Sequence, residues 1–333
     1  MPTNLKAFNS SLTEEDLVPI IEVLRKGELG FGPNVPEFEK QFASFSNKRY
    51  NIATNSASAA AYIIFAYLRS HKGKCDVYTT SLGFTSPAWA AAANGHRLIF
   101  VDVDENLQFS TQDYKAKRKR LDKHLNPCRC RPVVIMPVLY GGVSTIEGFD
   151  PYGDEIVVVD SAHCATPTLK ANFLFFSFHP YKPICSPDGG LIATNDHLAI
   201  TYMRNYRNFG RVNTDTSYDI KHDGFKFYMN NLSATVALTQ LPHYDTKRAL
   251  RKANYEKWAT EYTLLPQDEK SSYYLATTLV DNADELLKTI GVSRHYPMLH
   301  TTTFYSRTRK SVLPRLESLH QKILNLPLCE GKT

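Results

Sequence analysis

The sequence predicts an α/β fold in which a largely parallel sheet lies between layers of helices. Short apolar runs, which we interpret as strands, alternate with helical or loop segments over most of the chain. Most of these runs are apolar throughout, and this pattern is typical of strands that are covered on both faces. The predicted strands are 50–54, 98–103, 133–138, 156–160, 174–178 and 191–194.

Two helices are predicted before the first strand. The first begins in the acidic stretch 13–16, which suits the positive end of a helix, and it ends at Gly27. The second covers 35–45. Both have apolar residues at helical spacing on one face, and these are Leu17, Ile20, Ile21 and Leu24 in the first helix and Phe38, Phe42 and Phe45 in the second.

The pattern changes after Pro242. A long charged helix is predicted over 244–258, and the segment beyond it is mixed, with strand-like stretches at 272–279 and 301–305. We therefore expect a large domain over residues 1–243 and a small C-terminal α+β domain over residues 244–333.

Composition indicates an ordinary soluble globular protein that handles anions. The 333 residues are 43% hydrophobic and 22% charged, and their formal net charge is +6. A mildly positive charge suits phosphorylated or carboxylate ligands, but it falls short of what a nucleic-acid-binding protein carries. The densest basic run, 115–120, lacks interleaved aromatic residues, so we interpret it as a solvated helix face.

Cysteine usage and hydropathy favour a cytoplasmic protein without a metal site. The six cysteines are scattered, and Cys128 and Cys130 have neither a second pair nor nearby histidines that would complete a zinc site. We expect all six to be reduced thiols. The N-terminus has no hydrophobic signal core, and the longest mostly apolar stretch, 57–68, is too short to span a bilayer.

One lysine lies where a buried strand is predicted to end in a turn. Lys182 follows the apolar run 173–176 after a proline-containing segment. Desolvation there lowers the pKa of an amine and leaves it able to form a Schiff base. Asp160 ends the preceding strand, and such a pair suits pyridoxal phosphate, because the carboxylate keeps the pyridine nitrogen protonated and the lysine holds the aldehyde. Each residue alone is more often an ordinary surface or strand-end residue.

A serine-rich turn after the first strand is a candidate phosphate site. Residues 56–58 begin the helix that follows this strand. The free N–H groups and the positive dipole of a helix N-terminus favour a phosphate, and the Ser58 hydroxyl adds a donor. A simple serine N-cap explains the same residues equally well on local grounds.

These residues belong to a set of motifs by which the chain resembles the DegT/DnrJ/StrS family of pyridoxal phosphate-dependent sugar aminotransferases. The resemblance runs from about Leu12 to the C-terminus. Its five stretches occur in the family's order, and five in register are a specific signal. They are GFGP (30–33) with VPEFE (35–39), NSASAA (55–60), FTS (84–86) with FVDVD (100–104), DSAH (160–163) with SFHPYK (177–182) and GG (189–190), and GFKFYMN (224–230).

The resemblance implies a fold, a cofactor and a set of site residues. The fold would be a three-layer α/β/α large domain of PLP fold type I with a mostly parallel mixed sheet, and the cofactor pyridoxal phosphate. Lys182 would be the catalytic Schiff-base lysine, Asp160 would contact the pyridine nitrogen, and His163 would lie near the ring's 3-oxygen. Phe84 and Ala162 would cover the two ring faces. The phosphate would be held by Ala57, Ser58, Ser177 and, from the neighbouring subunit, Lys226.

The resemblance also implies a function. The expected enzyme is a homodimer with shared active sites that moves an amino group from glutamate to a keto group of a nucleotide-linked deoxy sugar, in polysaccharide or deoxyamino-sugar biosynthesis. Relatives that dehydrate sugars carry histidine at the Schiff-base position, so Lys182 favours transamination. Two other interpretations stay open: another carbonyl acceptor such as a cyclitol ketone, and a non-catalytic binding or regulatory protein that keeps the fold.

The chain departs from the family's pattern in two places. Ala57 and Ser58 replace the usual glycine and threonine of the phosphate turn, which keeps the hydroxyl but adds a Cβ. The segment 267–294 is short, and the chain ends soon after LPLC (326–329), which resembles a family segment beyond which members normally continue. We therefore expect a small domain that is trimmed relative to the family.

Overall fold

A computed structural model of the protein describes residues 12–124, 131–214, 216–288, 292–306 and 311–328. Of the residues discussed above, Cys128, Cys130 and Cys329 lie outside this part of the chain. The other three cysteines are buried thiols, and they are Cys75, Cys164 and Cys185.

The centre of the fold is a seven-stranded mixed sheet. In chain order its strands are β1 Tyr50–Thr54, β2 Asp76–Thr80, β3 Arg97–Val101, β4 Val133–Met136, β5 Ile156–Asp160, β6 Phe173–Ser177 and β7 Gly190–Thr194. They lie side by side in the order β1-β7-β6-β5-β4-β2-β3. The pairings from β6 to β3 are parallel, whereas β7 pairs antiparallel with β1 and β6. The predicted mostly parallel mixed sheet is therefore confirmed.

All six predicted strands are present, but the sequence patterns missed β2. This strand is buried along its whole length, yet it begins with an aspartate and ends with two threonines, so its apolar pattern is weak. Asp76 can be buried because Arg97, at the start of the neighbouring β3, forms an ion pair with it.

Helices cover both faces of the sheet. The helices up to residue 240 are α1 Glu14–Lys26, α2 Asn34–Gln41, α3 Ala43–Ser46, α4 Ala57–Lys72, α5 Thr85–Ala93, α6 Thr111–His124, α7 His197–Tyr206 and α8 Asn231–Gln240. Helices α2, α6 and α8 share one core with Val157 and Val159, whereas α4, α5 and α7 share the other with Val158. Successive side chains of β5 thus point to opposite faces, as strand geometry requires. The predicted three-layer α/β/α architecture is confirmed.

The first predicted helix forms, but its apolar face is not buried in the chain. A capping box begins α1, and Gly27 ends it with φ +70°, a conformation that favours glycine. Ile21 and Leu24 are 41% and 50% exposed. The helix contacts α8, and its buried Asp16 accepts a hydrogen bond from His243 at 3.0 Å. The exposed apolar stripe is therefore available for another partner.

The basic run of the sequence lies on α6, where acidic neighbours pair with it. Lys115 bonds to Asp150 at 2.6 Å, and Lys117 bonds to Asp113 at 2.7 Å. These surface pairs support the interpretation of the run as a solvated helix face. Within the described residues, no helix is both long enough and apolar enough to cross a membrane.

A hairpin of β8 Arg211–Asn213 and β9 Tyr218–Ile220 precedes α8.

The C-terminal part, which follows α8, is a small α+β unit. Beyond α8 the elements are α9 Tyr244–Trp258, β10 Ala276–Leu279, α10 Ala283–Leu286, α11 Thr303–Ser306, α12 Pro314–Leu319 and β11 Ile323–Leu326. Strands β10 and β11 pair antiparallel. Helix α9 confirms the predicted charged helix, and β10 confirms the second half of the predicted strand 272–279.

The predicted strand at 301–305 is wrong. These residues form the end of a 3₁₀ turn, Leu299–Thr301, and the start of α11. The hydroxyls of Thr301 and Thr302 donate to the carbonyl oxygens of Met298 and Leu299 at 2.8 and 2.7 Å. Such local bonds favour a turn and override the strand preference of threonine.

An apolar cluster joins the C-terminal part to the large part. It includes the buried side chains of Leu82 and Phe100 from the large part and of Leu299, Tyr305 and Leu316 from the C-terminal part. The C-terminal part therefore packs firmly on the end of the sheet. The domain boundary near residue 243 stays a prediction.

A buried ion pair ties α2 to the edge strand β1. Glu39 accepts the Ala53 N–H at 2.9 Å, and Arg207 donates to Glu39 at 2.5 Å and to the Ala53 carbonyl at 2.6 Å. The side chains of Glu39 and Arg207 are 8% and 7% exposed. The acidic residue of the 35–39 motif therefore protects and fixes one edge of the sheet.

We predict that Glu39→Gln lowers the free energy of unfolding by about 3 kcal/mol, because it leaves the Arg207 guanidinium buried without a counter-ion. Urea unfolding followed by circular dichroism measures this change. Glu37→Gln on the same helix is the matched control and should change the free energy by less than about 0.5 kcal/mol. Equal effects of the two substitutions would contradict the role of the buried ion pair.

Candidate active site

A cavity of about 370 Å³ opens at the carboxyl ends of β5 and β6, beside the N-terminus of α4. Ligand sites in α/β folds form at such edges because strand ends and helix N-termini converge there. Eight of the nine predicted site residues line the cavity: Ala57, Ser58, Phe84, Asp160, Ala162, His163, Ser177 and Lys182.

Asp160 and Lys182 are the central titratable pair of the cavity. Asp160 ends β5, is 4% exposed and accepts the Ala162 N–H at 2.9 Å. Lys182 lies in the turn after β6, and its ammonium donates to the Tyr274 hydroxyl at 3.2 Å. Burial raises the pKa of Asp160 and lowers the pKa of Lys182, while the attraction between the two charges opposes both shifts. The cavity therefore holds an amine that loses its proton more easily than an ordinary lysine.

The N-terminus of α4 forms another wall. Ser56 is the N-cap and accepts the Ala59 N–H at 3.1 Å, so the simple N-cap interpretation holds for this serine. Ala57 and Ser58 are the first two residues of the helix, where N–H groups have no acceptor within the helix. Gly190 lets this turn rest on β7, since a Cβ at that position would lie 2.3 Å from the Ser56 carbonyl carbon.

Ser177 and Phe84 lie at the margins of the cavity. Ser177 ends β6 directly opposite Gly190, and its hydroxyl accepts the His179 N–H at 3.4 Å. Phe84 is 58% exposed, and its ring meets that of Tyr296 edge-on with 5.9 Å between the centroids. The Ser177 hydroxyl is thus near the N-terminal turn of α4, and the Phe84 ring lies at the mouth of the cavity.

His163 is buried against two tyrosines. Its Nε2 lies 3.1 Å from the Tyr296 hydroxyl, and its ring centroid lies 4.2 Å from that of Tyr274. Burial, together with the nearby positive charge of Lys182, lowers the pKa of His163 well below its usual range, so the ring is neutral. Its Nδ1 is buried and has no hydrogen-bond partner among the residues that the structure describes.

These residues fit pyridoxal phosphate. The N-terminus of α4 with the hydroxyls of Ser58 and Ser177 suits a phosphate. Asp160 offers a carboxylate to a protonated ring nitrogen, and Lys182 offers an amine to an aldehyde. With its proton on Nε2, His163 can accept a hydrogen bond from a ring hydroxyl at the partnerless Nδ1. In the described part of the chain, no group of three His, Cys, Asp or Glu residues is placed to hold a metal ion.

Lys226 is the predicted site residue that does not line this cavity. It is exposed, and its ammonium lies 5.7 Å from the centroid of the Tyr228 ring. Its carbonyl oxygen accepts a hydrogen bond from Asn55 Nδ2 at 3.2 Å, next to the α4 turn. The expectation that Lys226 serves the site of a neighbouring subunit stays a prediction.

Three residues of the C-terminal part that line the cavity were not predicted from the sequence. They are Tyr274, His295 and Tyr296. Tyr274 donates its N–H to the Gly141 carbonyl at 3.1 Å, and a Cβ on Gly142 would lie 2.8 Å from the Tyr274 nitrogen. The adjacent glycines in the sequence indicate a close backbone approach, but they do not identify the segment that approaches.

A sequence model of the DegT/DnrJ/EryC1/StrS aminotransferase family matches residues 10–333. The spore coat polysaccharide biosynthesis protein SpsC of Bacillus subtilis (strain 168) is 25% identical to this chain. The alignment is 358 positions long, gaps included, and covers 95% of this chain and 90% of SpsC. Both alignments extend over nearly the whole chain, and the family match includes all of the cavity residues.

Solved structures share the fold. Helicobacter pylori PseC, an aminotransferase involved in the biosynthesis of pseudoaminic acid, superposes with a TM-score of 0.85 at 21% identity, covering 98% of this chain and 94% of PseC. The PLP form of the putative sugar aminotransferase Spr1654 from Streptococcus pneumoniae gives a TM-score of 0.83 at 20% identity, covering 98% and 93% of the two chains. At these identities the likeness shows the fold alone.

The fold and the cavity together define an α/β enzyme of the aminotransferase class. The chain belongs to the DegT/DnrJ/EryC1/StrS aminotransferase family, because the family's sequence model matches it from residue 10 to residue 333. The predictions of the family, the fold class and the enzyme class are therefore confirmed.

Proposed function

We propose that this protein is a pyridoxal phosphate-dependent aminotransferase that moves an amino group from glutamate to a keto group of a nucleotide-linked deoxy sugar. The observation that carries the proposal is the placement of Lys182 and Asp160 in one cavity beside the N-terminus of α4. The cofactor is the predicted one, and Spr1654 has solved structures in PLP and PMP forms. The sugar acceptor is supported by relatives named for spore coat polysaccharide and pseudoaminic acid biosynthesis.

The residues of the cavity can be assigned to steps of this reaction. When bound, pyridoxal phosphate supplies an aldehyde that takes the donor's amino group and a ring that withdraws electrons from the reacting carbon. Asp160 would keep the ring nitrogen protonated. Lys182 would carry a proton to and from the reacting carbon on Nζ, which its lowered pKa permits. Ser58, Ser177 and the N-terminus of α4 would hold the phosphate.

The mouth of the cavity supports a large acceptor. Phe84 and Tyr181 line it and are 58% and 50% exposed. Exposed aromatic rings beside a cavity offer stacking surfaces for a sugar ring or a nucleobase, which a small amino donor does not need. The net charge of +6 also favours an acceptor that carries phosphates.

The active unit in this proposal is a homodimer with shared sites. The segment around Lys226 exposes apolar rings, since Phe209 and Phe225 are each 47% exposed. Exposed apolar surface of this extent is typical of an interface between subunits. Further exposed apolar side chains lie on α1, beyond its end and on the β8–β9 hairpin, and they are Val18, Ile21, Leu24, Leu29, Phe31, Tyr218 and Ile220.

The cytoplasm is the proposed location. Cys75, Cys164 and Cys185 are buried thiols, which suits a reducing compartment. Burial raises the pKa of Cys75 to about 11 and the pKa of Cys164 to about 12, so neither is a reactive thiolate at neutral pH.

Turnover with defined acceptors tests the proposed function. We predict that the loaded protein converts a stoichiometric amount of glutamate to 2-oxoglutarate, and that sustained turnover begins only when a nucleotide-linked keto-deoxy sugar is added. Lys182→Ala should lower the rate at least about 100-fold, because it removes the group that moves the proton. A coupled 2-oxoglutarate assay and mass spectrometry of the aminated sugar measure both effects.

Lys252→Ala, which removes an exposed lysine outside the cavity, is the matched control and should keep the wild-type rate. Sustained turnover with a cyclitol ketone, but with no nucleotide-linked sugar, would overturn the proposed acceptor. Full activity of Lys182→Ala would overturn the assignment of the site.

Mixed dimers test whether Lys226 crosses between subunits. We predict that Lys182→Ala and Lys226→Ala chains are each strongly impaired alone, and that their equimolar mixture regains about a quarter of the wild-type activity. Half of the dimers would be mixed, and each mixed dimer would hold one intact site, because both lesions fall in the other. Activity before and after subunit exchange is the measurement.

Lys221→Ala serves as the control in the same assay, because Lys221 is an exposed lysine that directly follows β9 and pairs with Asp219. Because Lys221→Ala chains should stay active, their mixture with Lys182→Ala chains should be active even before subunits exchange. If exchange of the two inactive chains is demonstrated and no activity returns, Lys226 does not act across the interface.

A further inference from the structure

Two tyrosines and a histidine form a chain of polar groups that starts at Lys182. The Lys182 ammonium donates to the Tyr274 hydroxyl at 3.2 Å and lies 4.3 Å from the centroid of that ring. The Tyr296 hydroxyl is a neighbour of the Tyr274 hydroxyl and can donate a hydrogen bond to it. Tyr296 in turn lies 3.1 Å from His163 Nε2. The proposed function assigns no role to either tyrosine.

The tautomer of His163 determines the direction in which this chain can donate. The ring of His163 is neutral, so one of its nitrogens carries a proton, and Nδ1 has no partner among the described residues. With the proton on Nε2, the histidine donates to the Tyr296 oxygen, and the Tyr296 hydroxyl is then able to donate to Tyr274. The Tyr274 oxygen, which accepts from Lys182, can then also accept from Tyr296. An oxygen that accepts from an ammonium favours the charged form of that ammonium.

We propose that Tyr274 is a positioning residue which, together with Tyr296 and His163, holds the Lys182 side chain in place and stabilises its protonated form. A lysine that carries a proton to and from a carbon must stay at one position and must be able to regain its proton. The Tyr274 hydroxyl serves both needs, because it opposes the effect of burial, which favours the neutral amine. The role of these contacts in catalysis rests on the proposed function, whereas the contacts themselves do not depend on it.

Other charged or titratable groups also face Lys182, and the variants that test the proposal must leave these groups in place. Asp160 favours the protonated lysine, whereas a charge on His163 or His295 would oppose it. The titratable residues that line the cavity together with Lys182 and the two tyrosines are Asp160, His163, His179, Tyr181, Asp188 and His295.

Titration of Lys182 in the protein without cofactor tests the proposal and does not depend on any amino-transfer activity. Short pulses of acetic anhydride at a series of pH values acetylate neutral amines, and peptide mass spectrometry gives the acetylation of Lys182 relative to the exposed Lys119. We predict that Tyr274→Phe lowers the midpoint by about one pH unit, because the ammonium loses a hydrogen bond. An unchanged or raised midpoint would overturn the proposal.

Tyr273→Phe is the matched control. Tyr273 and Tyr274 are adjacent and both 6% exposed, but the Tyr273 ring packs against Tyr255 and the Arg248 guanidinium rather than against Lys182. This substitution should leave the Lys182 midpoint unchanged. An equal shift in both variants would mean that the segment had loosened as a whole, and the specific role of Tyr274 would be wrong.

Tyr296→Phe tests the chain beyond Tyr274. It should lower the Lys182 midpoint by less than Tyr274→Phe does, because the direct bond to Lys182 remains. The double variant should match Tyr274→Phe alone, since groups that act through one network are not additive. Additive shifts would mean that Tyr296 acts on Lys182 independently, which would overturn the chain.

Discussion

The partial burial of Lys182 beside the buried Asp160 is the constraint on which the site depends. Buried charges are stable only when they are paired and hydrogen-bonded, and the sheet meets this need by ending β5 at Asp160 and β6 just before the turn that carries Lys182. Their attraction limits the effect of burial on both pKa values, so the lysine can both lose and regain its proton. The N-terminus of α4 lines the same cavity, and its N–H groups suit an anion.

Close backbone approaches make this burial possible. Gly190 lets the α4 turn rest on β7, and Gly142 lets the segment that carries Tyr274 come close to the large part of the chain. The C-terminal part thereby brings Tyr274 into contact with Lys182 and adds Tyr296 to the lining of the cavity. The large part supplies the charged groups, and the C-terminal part excludes water from them and adds hydroxyls. The lowered pKa of Lys182 is therefore a property of both parts together.

Sequence patterns predicted the features that depend on local chemistry. Continuous apolar runs indicated the strands that end near Asp160 and Lys182, because both faces of the sheet are buried. The patterns missed β2, whose polar ends are tolerated through an ion pair between Asp76 and Arg97 that only the folded sheet creates. They also missed Tyr274, which contacts Lys182 from 92 residues away along the chain. No local pattern encodes a contact over such a separation.

The most direct test of the site is chemical trapping of the amine that holds the cofactor. Sodium borohydride converts a lysine–aldehyde linkage into a stable bond, so the loaded protein can be reduced, digested and examined by peptide mass spectrometry. We predict a pyridoxyl group on the peptide that contains Lys182, and its loss in the Lys182→Ala variant. Label on Lys226, or label spread equally over exposed lysines in both proteins, would contradict the assignment of Lys182.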